Sequence, residues 1–128
     1  MARGNSSIKP TEAELTLLNV LWNVGPATVR QVHDAVSETQ KTGYTTVLKI
    51  LQIMHEKALV IRDESNRAHV YAAANSEMVT QSSLLKDLVL KAFGGSTSKL
   101  VMRALDESTS SEEIADIRQL LNSLEKQT

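Results

Sequence analysis

The stretch from Thr28 to Tyr71, TVRQVHDAVSETQKTGYTTVLKILQIMHEKALVIRDESNRAHVY, changes its hydrophobic period partway along, and that change decides the fold. At its start Thr28 stands three residues ahead of Gln31, the spacing at which two side chains cap a helix reciprocally. Val29, Val32 and Val36 follow at helical intervals and predict a short helix ending near Ser37 to Thr39. A polar segment, Glu38 to Gly43, leads into a longer helix from Tyr44 to about Lys57, marked by Val47, Leu48, Ile50, Leu51 and Met54. There the period shortens. Leu59-Val60-Ile61-Arg62 and His69-Val70-Tyr71 are β-favouring runs around a polar tip, Asp63 to Arg67, with a turn-prone Ser65-Asn66. They read as a hairpin.

Working outward, Thr11 and Glu14 repeat the capping-box spacing, and Leu15, Leu18, Leu21 and Trp22 then recur at helical intervals until Gly25-Pro26 stops them. Only Gly25 to Ala27 remain as a connector to the second helix, and Trp22 falls on the apolar side, where core packing is its expected role. Three helices and a hairpin in this order predict a winged helix. In that fold the third helix enters the major groove of DNA and the hairpin lies over the adjacent backbone.

Beyond Asn75 the strand signal ends. Ser76 opens a long amphipathic helix with Met78, Leu84, Leu85, Leu88, Val89, Ala92 and Phe93 before Gly94-Gly95. Leu100, Val101, Ala104 and Leu105 predict a short helix, and Ser110 with Glu113 reads as a third capping box, opening Ile114, Ile117, Leu120, Leu121 and Leu124. Three helices this small cannot bury so much apolar surface alone, so a second copy is expected to cover it. The residues expected to dimerise are Leu84, Leu85, Leu88, Leu100, Leu105, Ile117 and Leu121. The fold class is therefore α+β, mostly α: a winged-helix domain over residues 8–75, then a helical dimerisation segment over 76–128.

Composition narrows the function. The 128 residues suffice for one core; 41% are hydrophobic and 23% charged, as in globular proteins, and the two prolines and five glycines exclude low complexity. The absence of cysteine removes disulfides, thiolate metal sites and thiol nucleophiles together, which suits a reducing cytoplasm. The opening MARGNSSIKP has no apolar stretch after its basic residues, and no run approaches a membrane span, so neither export nor membrane insertion is expected. Residues 1–75 carry eight Lys/Arg against seven Asp/Glu, and residues 76–128 six against eight. With so little net charge, any DNA contact must come from a local face.

No phosphate-cradling glycine loop, zinc-protease motif or carboxylate pair suggests an enzyme, and no cofactor is implied. His33, His55 and His69 stand at no metal-ligand spacing and read as surface or boundary residues. The polar face of the third helix is different. Tyr44, Thr45, Thr46, Lys49 and Gln52 lie between its apolar positions: threonine can donate to phosphate or pack on a thymine methyl, lysine can reach phosphate or guanine, and glutamine can pair with adenine. Arg67 and His69 on the hairpin could touch the DNA backbone, although Asp63 and Glu64 at the same tip oppose phosphate. The rival of another class is a winged helix used only for protein interaction, which the near-neutral charge and acidic tip favour. A ligand-sensing repressor of another winged-helix family is a third reading, without a visible cluster of pocket-lining aromatics.

Ala13-Glu14 followed by Val20-Leu21-Trp22, then TVRQVHDAV, YTTVLKILQIMHEKALV and RAHVYAA, resemble the BlaI/MecI penicillinase-repressor family. The likeness runs from about Pro10 to the C terminus and is strongest from Thr28 to Tyr71. It implies a winged-helix homodimer that represses β-lactamase or other genes from inverted repeats resembling TACA and TGTA, and that a membrane sensor-protease pathway releases by cleavage. Staphylococcal-type members carry polar or basic residues where this chain has Leu48 and Ile53, and lysine where it has Thr45. Their cleaved Asn-Phe bond falls here on Arg103-Ala104, after Leu100-Val101-Met102. Copper-responsive relatives use a C-terminal cysteine cluster, and this chain has no cysteine for it.

Overall fold

The computed structural model describes residues 9–127. The basic opening segment through Ile8, with the expected domain start at residue 8, lies outside the described residues, as does Thr128. Six helices and three short strands follow in the order α1 (Glu12–Val24), β1 (Ala27–Thr28), α2 (Val29–Val36), α3 (Tyr44–Glu56), β2 (Val60–Asp63), β3 (Val70–Ala73), α4 (Glu77–Ala92), α5 (Thr97–Ala104) and α6 (Ser111–Lys126).

Helix starts follow the local chemistry of their caps. Thr11 Oγ1 accepts the Glu14 N–H at 3.1 Å while Glu14 Oε1 accepts the Thr11 N–H at 2.9 Å. Thr28 and Gln31 make the same exchange at 3.2 and 2.9 Å, so both capping boxes form where their spacing places them. The third expected box is one-sided: Ser110 Oγ accepts the Glu113 N–H at 3.1 Å, but Glu113 makes no return bond. Past the end of α4, Gly94 and Gly95 both take positive φ, a conformation that costs a residue with a side chain on the order of 1 kcal/mol.

The Gly25–Ala27 connector is not merely a connector. Ala27 and Thr28 form β1, which pairs with Tyr71 and Val70 of β3, so the hairpin becomes a three-stranded antiparallel sheet in the order β1-β3-β2. The hairpin strands also sit slightly later than expected, pairing Val60 with Ala73 through Asp63 with Val70. Leu59 precedes β2 instead of belonging to it. Ala58 turns the chain there with φ 64°, and the Leu59 N–H donates back to the Met54 carbonyl at 2.9 Å, which delivers Leu59 into the core.

The core joins Leu17, Leu18 and Leu21 of α1, Val29, Val32 and Val36 of α2, Val47, Leu51 and Met54 of α3, and Val60 and Tyr71 of the sheet. Trp22 packs on its edge, and its indole Nε1 donates to the Asn75 carbonyl at 3.0 Å, tying α1 to the segment that follows the sheet. Among the described residues Glu14 is the buried charge, 4% exposed, and Lys57 Nζ reaches its Oε2 at 2.8 Å from the end of α3. Burial alone would raise the Glu14 pKa, but the Lys57 ammonium and the Thr11 N–H more than offset it and hold the carboxyl below its ordinary 4.5.

Glu14→Gln keeps the shape and the cap but removes the charge facing Lys57, and should cost about 2 kcal/mol near neutral pH. Because the folded-state pKa is depressed, this contribution is complete above the ordinary carboxylate range and fades as pH falls through the lowered value. Urea unfolding at pH 7 and pH 3 checks this: the gap between wild type and variant should close in acid. A gap of the same size at both pH values would remove the charge pair as its cause.

The described chain divides into two compact units that meet within α4, between Leu85 and Lys86. No residue of α4, α5 or α6 is buried. Among the described residues, no helix is long and apolar enough to cross a membrane.

Candidate nucleic-acid interface

Helix α3 has two faces because its apolar residues follow a helical period. Val47, Leu51 and Met54 point into the core and fix the helix against α1, α2 and β2. What remains outside is the stripe Thr45, Lys49, Gln52 and Glu56 at spacings of four, three and four, flanked by Thr46 and Ile53, all exposed. The sequence-predicted positions Tyr44, Thr45, Thr46, Lys49 and Gln52 are thus all on the surface. Gly43 caps α3 without any side-chain hydrogen bond, so its first amide N–H groups receive no side-chain partner, an arrangement that favours phosphate.

The helix does not stand alone at this end. His33 of α2 places Nε2 3.1 Å from the Thr42 carbonyl and Nδ1 3.1 Å from Asp34 Oδ1, with its ring centroid 6.2 Å from that of Tyr44. The Arg30 guanidinium carbon lies 5.2 Å from the Tyr44 ring centroid. Residues fourteen apart in sequence therefore form one corner where α2 meets the start of α3. Sequence periodicity assigns Arg30 no role.

At the wing, the acidic side chains that oppose phosphate have partners of their own. Arg62 holds Glu64 Oε2 at 2.6 Å, and Asp63 Oδ1 accepts both the Ser65 N–H at 2.9 Å and its hydroxyl at 2.7 Å. Those bonds, from Ser65 to Asp63 and from Arg62 to Glu64, hold both carboxyls below their usual range. Arg67 is exposed beyond them, in the loop between β2 and β3. Arg30, Lys41, Lys49 and Arg67 are all exposed, and among the described residues none of them is in an ion pair.

The residues expected to dimerise are divided. Leu85, Leu88, Leu105 and Leu121 are exposed, whereas Leu84, Leu100 and Ile117 are half-buried within the single chain. Residues outside that set are barer still: Met78, Leu90 and Met102 are 74%, 71% and 72% exposed. Arg103 and Ala104 are exposed in the last turn of α5. Among the described residues no group of three His, Asp or Glu side chains could hold a metal ion.

Residues 10–123 match the model of a family described as penicillinase repressor. The transcriptional regulator BlaI of Mycobacterium tuberculosis is 30% identical over 115 residues, covering 89% of this chain and 83% of that protein. A penicillinase repressor of Staphylococcus aureus is 20% identical over 123 residues, covering 95% and 98%. Among solved structures, a MarR family protein from Bacillus stearothermophilus superposes with TM-score 0.55 at 18% identity, over 95% of this chain and 77% of that one. That likeness shows the fold, a winged helix.

Proposed function

The chain belongs to the penicillinase repressor family, whose members are transcriptional regulators and not enzymes, and from that premise we propose that it represses transcription as a homodimer on a pseudo-palindromic operator. The observation that carries this reading is the exposed Thr45, Lys49, Gln52 stripe on the third helix of a winged helix, beginning at a helix end without a side-chain cap. In this reading α3 enters the major groove with Tyr44 at its leading end, Thr45, Thr46, Lys49 and Gln52 meet bases or phosphates, and Arg67 reaches the backbone from the wing. Residues 8–75 are the reading head and 76–128 the dimerisation segment. The support for a dimer is the apolar surface that α4 to α6 leave in water, which a second copy would cover. The protein acts in the cytoplasm on a penicillinase gene or a related one, and cleavage near Arg103-Ala104 by a sensor-protease pathway releases it. The interaction-only reading loses ground because four exposed cations, Arg30, Lys41, Lys49 and Arg67, are in no ion pair among the described residues.

The test is binding of the full chain to fragments selected from its source genome, measured across salt concentrations. Affinity should fall steeply with salt through counterion release, and a flat response would favour the protein-interaction rival. Lys49→Ala should leave folding intact. If Lys49 reads a guanine, discrimination drops by about 1 to 3 kcal/mol at one base pair; if it meets phosphate, every sequence weakens alike and the salt slope flattens by about one for each protomer. Unchanged affinity for all fragments would move the interface away from α3.

A further inference from the structure

We propose that Arg30 is a phosphate-binding residue of the DNA interface, and that Tyr44 is its positioning residue instead of a base reader. The inference rests on the repressor reading above and assigns roles that sequence patterning did not. Three observations at the corner of α2 and α3 carry it.

First, the Arg30 guanidinium sits 5.2 Å from the Tyr44 ring centroid, within the range of a cation–π contact. A guanidinium has five N–H donors, more than one contact with a ring can occupy, so donors remain available to an anion. Second, the carboxylate best placed to take those donors is engaged elsewhere. Asp34 lies one turn after Arg30 on α2, at the spacing of a helical ion pair, yet its Oδ1 is 3.1 Å from His33 Nδ1 and it makes no bridge to Arg30. Third, the stacking partner is itself fixed. Tyr44 is the first residue of α3, and His33 packs near it while contacting the Thr42 carbonyl just ahead of the helix.

An arginine on a flexible stem would surrender much side-chain entropy on binding an anion. Held against an aromatic ring, it gives up less, and its fork of donors suits a phosphate oxygen. Placement agrees with this. In a helix-turn-helix the first helix crosses the DNA backbone while the second lies in the groove, and Arg30 is in the first turn of α2, with Tyr44 at the start of the groove helix. Tyr44 then acts on DNA through Arg30, linking a backbone contact to the register of Thr45 and Lys49 in the groove.

The experiment uses the full chain and measures affinity for a selected fragment and for an unrelated one across salt, with circular dichroism confirming the fold of each variant. Arg30→Ala should weaken both fragments by a similar factor, roughly tenfold per protomer, and flatten the slope of log affinity against log salt by about 0.9 per protomer. Arg30→Lys should keep the slope but recover only part of the affinity, since a point charge lacks the planar stack. Tyr44→Phe should be near neutral and Tyr44→Leu weakening, and in the Arg30→Ala background the Tyr44→Leu cost should largely vanish.

A wild-type salt slope in Arg30→Ala would overturn the phosphate contact. Additive costs in the double variant would overturn the positioning role and return Tyr44 to direct contact with DNA. If wild type itself binds no fragment in a salt-dependent way, the repressor reading falls and this inference falls with it.

Discussion

A chain ending at Arg103 should stay folded, run as a monomer and lose on the order of 10²- to 10⁴-fold in operator affinity while keeping every base contact. The core explains the first part. Its residues run from Leu17 to Tyr71, so removal of residues 104–128 takes away no buried side chain. The second part follows from what is removed: Leu105, Ile114, Leu120, Leu121 and Leu124, all exposed and apolar in the single chain, and half-buried Ile117. If those residues join two copies, each dimer holds its second reading head near the second half-site at high effective concentration. Without the link, each head binds alone and weakly. Two recognition helices on one side of B-DNA require half-site centres about 10 to 10.5 base pairs apart, or a multiple, so the footprint should shrink to one half. Sedimentation and footprinting of the truncated chain decide the matter: full operator affinity from a monomer would separate repression from dimerisation and deprive a cut at Arg103-Ala104 of its effect.

How far the sequence alone leads depends on the range of the interaction that fixes each feature. Thr11 with Glu14 and Thr28 with Gln31 bond across three residues, so their spacing was sufficient evidence for both helix starts. The α3 stripe was equally legible, because an exposed face is what remains once Val47, Leu51 and Met54 are assigned to the core. Strand β1 was not. It has two residues, too few for an alternation signal, and exists because Ala27 meets Tyr71 across the sheet. The Lys57 partner of Glu14 lies 43 residues away and the Asn75 partner of Trp22 lies 53 away, distances over which periodicity carries no information. The Arg30–Tyr44 corner belongs to the same class: Tyr44 is legible as part of the α3 face, but its pairing with Arg30 is not until α2 and α3 are packed together. Ser110 and Glu113 show the opposite limit, where the spacing of a capping box occurs and only half of it forms.

Leu51→Ala should produce the largest loss of stability, about 2 to 5 kcal/mol, while leaving the surface that reads DNA chemically unchanged. Leu51 is 0% exposed at the centre of α3, which packs on α1, α2 and β2, so truncation leaves a cavity among elements that cannot all move to fill it. Native domains are stable by roughly 5 to 15 kcal/mol, and the loss is therefore a large fraction of the whole without necessarily unfolding the chain at 25 °C. Urea unfolding should show the midpoint falling with the slope preserved, because the same surface is exposed on unfolding. DNA affinity at 25 °C should drop only by the fraction of chains that are unfolded, and steeply once the temperature nears the lowered melting point. Lys49→Ala predicts the reverse, with intact stability and weakened binding. The contrast tests the division of α3 into a buried face that positions and an exposed face that reads. A loss below about 1 kcal/mol for Leu51→Ala would contradict its place in the core. A tenfold fall in affinity from a fully folded Leu51→Ala chain would instead show that core packing sets the pitch of α3 in the groove, and the two faces would then be coupled.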